Sequence, residues 1–371
     1  MDMTAGGPPD TVRAARASGP RPERAPANTG GGALDAAGVV VLTCCAVWTL
    51  VTAAGRQARP EGTLLALLAV TAGYAAGRIL GALLPVLAPA AAAAAVLALV
   101  LAPPSRLTGR PDAPPLGYHN ADAALLVLAA GAACCAAWAA RGALRRAGLR
   151  VAALGAAVAA LTLGSAAGFA AGIAVVLCSS AAARMRGRLL GLAGLALAAV
   201  VVVGGSCAVA EDALPSGLSA SLTGQLTRPR VELWHQAVTL AEHHPLRGVG
   251  PDRFADVSAE VPPPDGAAAS SPQSAPLQLA AEQGLPGAAL LGTAFGWVLC
   301  ALWRSPRPTP VVLTAAAALT GLALLASVDH VLSYAVVTSG AGYLAGVATA
   351  RPLAEEDTGR PAPETVPPGT V

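Results

Sequence analysis

The sequence predicts an all-α, polytopic integral membrane protein with about ten transmembrane helices and one large extracytoplasmic loop. Three observations predict it. Only 12% of the 371 residues are charged while 54% are hydrophobic, and the mean hydropathy is +0.59; a soluble domain is about 25% charged. Apolar stretches long enough to cross a bilayer recur along the chain. All 24 basic residues are arginine, and most fall in short clusters between those stretches. A net charge of +3 and a pI of 8.6 are too mild for a nucleic-acid partner, so the arginine clusters act on membrane orientation, and the lipid bilayer is the first partner.

Residues 1–33 are rich in Pro, Gly and Arg, lack an apolar stretch, and read as a disordered cytoplasmic tail, leaving the first helix as its own insertion signal. Crossing the hydrocarbon core takes about 20 apolar residues. Within 34–210 that ruler marks Ala36–Ala54, Thr63–Gly77, Ile79–Ala102 and Ala121–Ala140. It also marks two helices from Val151–Ala183, broken around Gly164 and Ser165, and then Leu189–Ala210. The polar stretch 211–285 is the loop. Pro286–Trp303, Pro310–Val328 and Val331–Ala350 complete the set within 286–350, and 351–371 is a second, Pro-rich cytoplasmic tail.

The positive-inside rule places Arg13, Arg16, Arg21 and Arg24 on the same side as Arg141, Arg145, Arg146 and Arg150. Arg184, Arg186, Arg188, Arg304 and Arg307 agree, while Arg56, Arg59, Arg106 and Arg110 dissent. Both termini are thus expected in the cytoplasm, in a multi-pass protein of the cytoplasmic membrane with the loop outside. Arg78 is read as a helix-end residue that snorkels to the interface. The scarcity of charge in the helices disfavours an ion-coupled transporter. The seven cysteines lack zinc-ligand or Cys-x-x-Cys spacing and read as small apolar residues.

In the loop, Pro229 suits the first turn of a helix over Arg230–His244, which Pro245 and Gly248 end. At about 100° per residue, Arg230 shares the apolar face with Trp234, Ala237 and Ala241. A guanidinium there needs a partner, and a diphosphate suits its rigid fork of donors. Curling out to water or pairing with a carboxylate is the plainer alternative. Gly248 and Gly250 make a tight turn between Arg247 and Arg253. A second helix is predicted over Ala275–Gln283, with Ser274 as its cap, Pro276 in its first turn and Gly284 at its end. Ser274, Gln278 and Glu282 form a polar stripe on it, for which a solvated face is the simplest account.

Three runs carry a resemblance: Arg230-x-x-x-Trp234; His244-Pro-Leu-x-Gly-Val-Gly-Pro-x-x-Phe254; and Gln273-Ser-Ala-Pro-Leu-Gln-Leu-Ala-Ala-Glu-Gln-Gly-Leu-Pro-Gly287. In order and spacing they resemble the outer-face loop of the O-antigen ligase and polymerase family. Tyr118-His-Asn120 and Asp329-His330 are weaker matches. The resemblance implies transfer or polymerisation of a polyprenyl-diphosphate-linked saccharide onto a glycan or lipid acceptor on the outer face of the membrane. No metal, nucleotide or other cofactor is implied. It places diphosphate binding on Arg230, with Arg247 and Arg253 nearby. Gly248, Gly250, Gly284 and Gly287 become turn glycines, and the family's proton-accepting histidine falls on Gln273.

A glutamine amide does not take up a proton near neutral pH. Where the family has an arginine after a Ser or Thr, Ser165 is followed here by Ala166. Two readings follow: an enzyme whose base has moved to His243, His244 or Glu282, or a non-catalytic member that binds lipid-linked glycan or scaffolds envelope assembly. His244 could equally cap its helix end, where the dipole favours a cation.

Overall fold

A computed structural model describes residues 30–102, 118–185, 187–211, 228–258 and 271–351. Every described element is helical. In chain order they are α1 Gly30–Ala53, α2 Glu61–Leu83, α3 Leu87–Leu101, α4 His119–Ala139, α5 Ala143–Thr162, α6 Ala166–Ala182 and α7 Arg188–Ala210. There follow α8 Arg228–His243, a single turn α9 Phe254–Val257, α10 Ala275–Trp303, α11 Thr309–Val328, a 3-10 turn Val331–Ser333 and α12 Ala335–Thr349. Most of both expected tails, the loop stretches 212–227 and 259–270, and Arg106, Arg110 and Arg186 lie outside the described residues.

Six of these helices, α1, α2, α4, α7, α10 and α11, are long and apolar enough to cross a membrane; α3, α6 and α12 are shorter apolar helices. The chain is a multi-pass helical membrane protein. α5 has 20 residues, but Arg145, Arg146 and Arg150 occupy its first half.

The break expected between Gly77 and Ile79 moves. α2 runs past Gly77 and Arg78 to Leu83, and the break falls at Leu84 (φ −131°, ψ 65°), immediately before Pro85. Proline cannot donate to the helix ladder and pushes the preceding residue out of the helical region, so the proline sets the stop, not the charge. Arg78 accordingly does not snorkel. Its two terminal nitrogens donate to the Asp35 carboxylate of α1 at 3.0 and 3.1 Å, and one also reaches the Tyr74 hydroxyl at 3.1 Å. A charge inside a helix bundle is tolerable when it is paired in this way. The break predicted near Gly164 does occur between α5 and α6: Gly164 takes φ +80°, and Ser165 caps α6 by accepting from the Gly168 amide.

The core is built on α4 and α11, which are buried almost end to end. Both are dense in Ala, Val and Leu, so neighbours approach closely on all sides. The surrounding helices turn residues such as Leu68, Leu190 and Val200 outward, as lipid-facing surface requires. α4 and α11 run antiparallel, so Tyr118 before the first turn of α4 meets Asp329 after the last turn of α11.

Candidate functional site

α8 packs through the face its periodicity marks. Leu233, Trp234 and Ala237 join Phe254, Leu277 and Ala281 in a small core of their own. Trp234 is 1% exposed; burying its ring contributes roughly 2–3 kcal/mol. Nδ1 of His235 lies 3.1 Å from the Ala210 carbonyl, fixing α8 to the end of α7. This packing sets Arg230 against the segment that leads into α10, where its Nε donates to Oε1 of Gln273 at 2.8 Å. The guanidinium thus has a neutral partner, and among the described residues no carboxylate pairs with it. Gln273 holds this position with φ +49°, a conformation that costs a non-glycine residue of order 1 kcal/mol or more. Its backbone N–H donates to the Ser271 hydroxyl at 3.1 Å.

α10 is broken at Gly284, whose φ of 72° and ψ of −177° are non-helical. The part after the break reaches Trp303 and spans about 28 Å at about 1.5 Å per residue. That is enough to cross a bilayer core, and Ala275–Gln283 is a separate helix ahead of it. The turn 245–254 closes onto this break. The Val249 and Gly250 amides donate to the Ala281 and Glu282 carbonyls, and Leu285 donates to Pro245. A Cβ on Gly248 would lie 2.3 Å from the Glu282 carbonyl carbon, and one on Gly284 would lie 2.6 Å from the Pro245 oxygen. Both positions also have positive φ, so both demand glycine. Gly250 lies beside Ala58, and Gly287 lies on the Gln283 side chain.

The turn is pinned to the α1–α2 connection. Arg247, largely exposed, donates to the Val51 and Ala54 carbonyls, and Arg56 donates to the Gly248 carbonyl at 2.7 Å. Arg253 lies 3.9 Å from Asp256. Trp48 of α1 donates to the Gln283 carbonyl at 3.0 Å. The structure therefore brings Arg230 and Gln273 together and sets Arg247 and Arg253 on the turn.

The Ser274, Gln278 and Glu282 stripe faces inward: Ser274 is 0% and Glu282 3% exposed. Gln278 accepts from Ser271 at 3.4 Å and donates to Glu282 at 3.3 Å. Burial pushes the Glu282 carboxyl up to about 7, against the lowering effect of the Asp252 and Phe254 amides and Gln278. His243 and His244 are exposed at the opposite end of α8 from Arg230, with Nδ1 of His243 2.7 Å from the Thr239 carbonyl.

Sequence reasoning gave only secondary weight to a cluster that the fold assembles from residues about 210 positions apart. The Tyr118 hydroxyl donates to both oxygens of Asp329, at 2.8 and 2.9 Å, and Asn120 donates to the same carboxylate. Asp329 also accepts from the His330 amide at 2.7 Å, and Nδ1 of the His330 ring lies 3.1 Å from its Oδ1. That ring contact misses hydrogen-bond alignment. Burial pushes Asp329 up, but hydrogen bonds from His330 and Tyr118 outweigh it and hold the carboxyl below its usual range. Tyr118 is pushed well up by burial and by the Asp329 charge, while the charge of Arg230 pulls it the other way. Arg230 therefore lies within electrostatic reach of this cluster.

Residues 151–292 match the family model described as O-antigen ligase. Over this stretch the chain is similar to the O-antigen ligase family. The match contains Arg230, Gln273, the turn and the break at Gly284, while Tyr118, Asp329 and His330 flank it on either side. Curated proteins yield no match. The match to an O-antigen ligase model, in a chain of apolar membrane-spanning helices, supports a part in polysaccharide assembly.

Proposed function

We propose that this O-antigen ligase-like protein transfers or polymerises a polyprenyl-diphosphate-linked saccharide on the outer face of the cytoplasmic membrane. In this reading α5 and the three shorter apolar helices join the six longer ones to make ten crossings, with the termini in the cytoplasm and 211–285 outside. The bilayer carries the donor to the site, and a hydroxyl of a glycan or lipid is the acceptor. Neither metal nor cofactor takes part.

The observation that supports this best is Arg230. Its Nε is held by Gln273, which fixes the plane of the guanidinium and leaves the terminal nitrogens to receive phosphate oxygens. Such donors bind a diphosphate and become more effective as charge collects on it when the sugar departs. The test is reconstitution in proteoliposomes with a lipid-linked oligosaccharide and a panel of hydroxyl acceptors. Product with at least one acceptor is expected; neither product nor binding of the lipid diphosphate would overturn the reading.

Gln273 supports a second reading, a non-catalytic binder of lipid-linked glycan or an assembly scaffold, because its amide is occupied by Arg230 and takes no proton. Saturable binding of a polyprenyl diphosphate analogue without turnover would favour it.

A further inference from the structure

If Gln273 takes no proton, a transfer reaction needs another group to do so, and the fold supplies one at the same end of the bundle. We propose that His330, set against Asp329, accepts the proton of the attacking hydroxyl; the proposal rests on the glycan-transfer reading above. The acceptor oxygen forms its bond to the anomeric carbon. The bond from that carbon to the diphosphate oxygen breaks, its electron pair leaves with the polyprenyl diphosphate facing Arg230, and the hydroxyl proton passes to Nε2 of His330.

Geometry carries the choice. The His330 side chain is 17% exposed, partly open rather than sealed. Its ring sits 4.6 Å from that of Tyr118 and 5.8 Å from that of Tyr334, which stacks on Tyr118 at 5.9 Å. Nδ1 faces Asp329 at 3.1 Å, so Nε2 is the ring atom turned away, and an imidazole with one nitrogen set against a carboxylate is available as a base at the other. Arg230 is linked to the same place through Tyr118, whose hydroxyl feels its charge. The groups facing the imidazole are thus Asp329, Tyr118 and Tyr334, with Arg230 beyond Tyr118.

The competitors are less well placed. Asp329 is committed to Tyr118, Asn120 and the His330 amide. Glu282 is buried and turned to the amides of the 252–254 turn. His243 lies 13 residues along α8 from Arg230, about 20 Å at about 1.5 Å per residue, too far to serve a sugar bound through its diphosphate at Arg230. His119 is exposed and has no carboxylate against its ring among the described residues.

The experiment compares wild type with His330→Gln, His119→Gln and Arg230→Ala in the proteoliposome assay across pH. His330→Gln is expected to lower kcat about 100-fold or more, to leave the donor KM unchanged, and to abolish the fall in rate on acidification. His119→Gln should match wild type, and Arg230→Ala should raise donor KM as well as lower kcat. An active wild type with kcat and acid limb retained in His330→Gln, or lost only in His119→Gln, overturns the assignment while transfer itself stands. A wild type that neither turns over nor binds the diphosphate refutes the underlying reading instead. Should His330→Gln lose monodispersity in detergent, diethylpyrocarbonate with mass spectrometry reads the unmutated chain. Inactivation that tracks modification of His330 supports the proposal; inactivation that tracks another histidine overturns it.

Discussion

At the scale of single residues, Arg230 shows how far helical phase can be trusted. A period of about 100° put it on the apolar face of its helix, and the packing of Trp234 and Ala237 follows that face. The partner was not legible, because Gln273 lies 43 positions away and is brought in by a side-chain bond that no periodicity encodes. The same limit applies to Tyr118 and Asp329, two polar residues at helix ends that become one cluster only because α4 and α11 run antiparallel. The Arg230 geometry makes a graded prediction. Arg230→Lys keeps the charge but loses the bond to Gln273 and the two-pronged fork, whereas Arg230→Ala loses everything. A hydrogen bond to a charged group contributes about 1.5–3 kcal/mol, so affinity for a soluble polyprenyl diphosphate analogue should fall about 10-fold in the first variant and about 100-fold or more in the second. Competition binding in detergent measures both.

At the scale of elements, the broken helix α10 and the turn that closes on it behave as one unit, and Glu282 is its titratable centre. Its polar stripe was visible in sequence at four-residue spacing, but which way it faced was not, since a solvated and a buried stripe have the same pattern. Burial decides it. The folded-state carboxyl sits near 7 against an ordinary value of 4.5, so the folded protein keeps this proton while the unfolded chain has released it. The protonated form therefore stabilises the unit most at the acid end, and that contribution is lost as pH rises from about 4.5 to about 7. Glu282→Gln keeps an acceptor for the turn amides without the charge. It should flatten the pH dependence of thermal stability across this window and melt higher than wild type at pH about 8. A thermal-shift series in detergent checks this; an unchanged slope between the two pH limits would show that Glu282 is not the group responsible.

At the scale of the whole molecule, the site depends on a contact far from it in sequence. α2 and α12 touch backbone to backbone through a ladder of glycines. A Cβ on Gly73 or Gly77 would lie 2.1 or 2.2 Å from the Ser339 or Tyr343 carbonyl oxygen, and one on Gly342 or Gly346 would lie 2.2 or 2.3 Å from that of Val70 or Tyr74. Four-residue spacing of small residues is the ordinary device for such close helix contact in a membrane. Here it was hidden in a chain with 41 glycines, where glycine at regular spacing carries little signal. The contact matters beyond itself. Tyr74 and Arg78 on α2 hold Asp35 of α1, Thr349 of α12 donates to Tyr74, and the far end of α1 holds Gln283 through Trp48 and Thr49. α1 thus connects the helix pair that carries the glycine ladder to the break in α10. Gly77→Ala and Gly346→Ala should each cost about 1–3 kcal/mol of overpacking. Because both residues serve one interface, the double variant should lose less than the sum. Gly155→Ala and Gly194→Ala, where an added Cβ meets nothing within 4 Å, should melt with wild type. Thermal unfolding of all five variants in one detergent reads the comparison. If the ladder also positions the site, the two interface variants should bind the diphosphate analogue more weakly at temperatures where they remain folded, while the two control variants bind as wild type does.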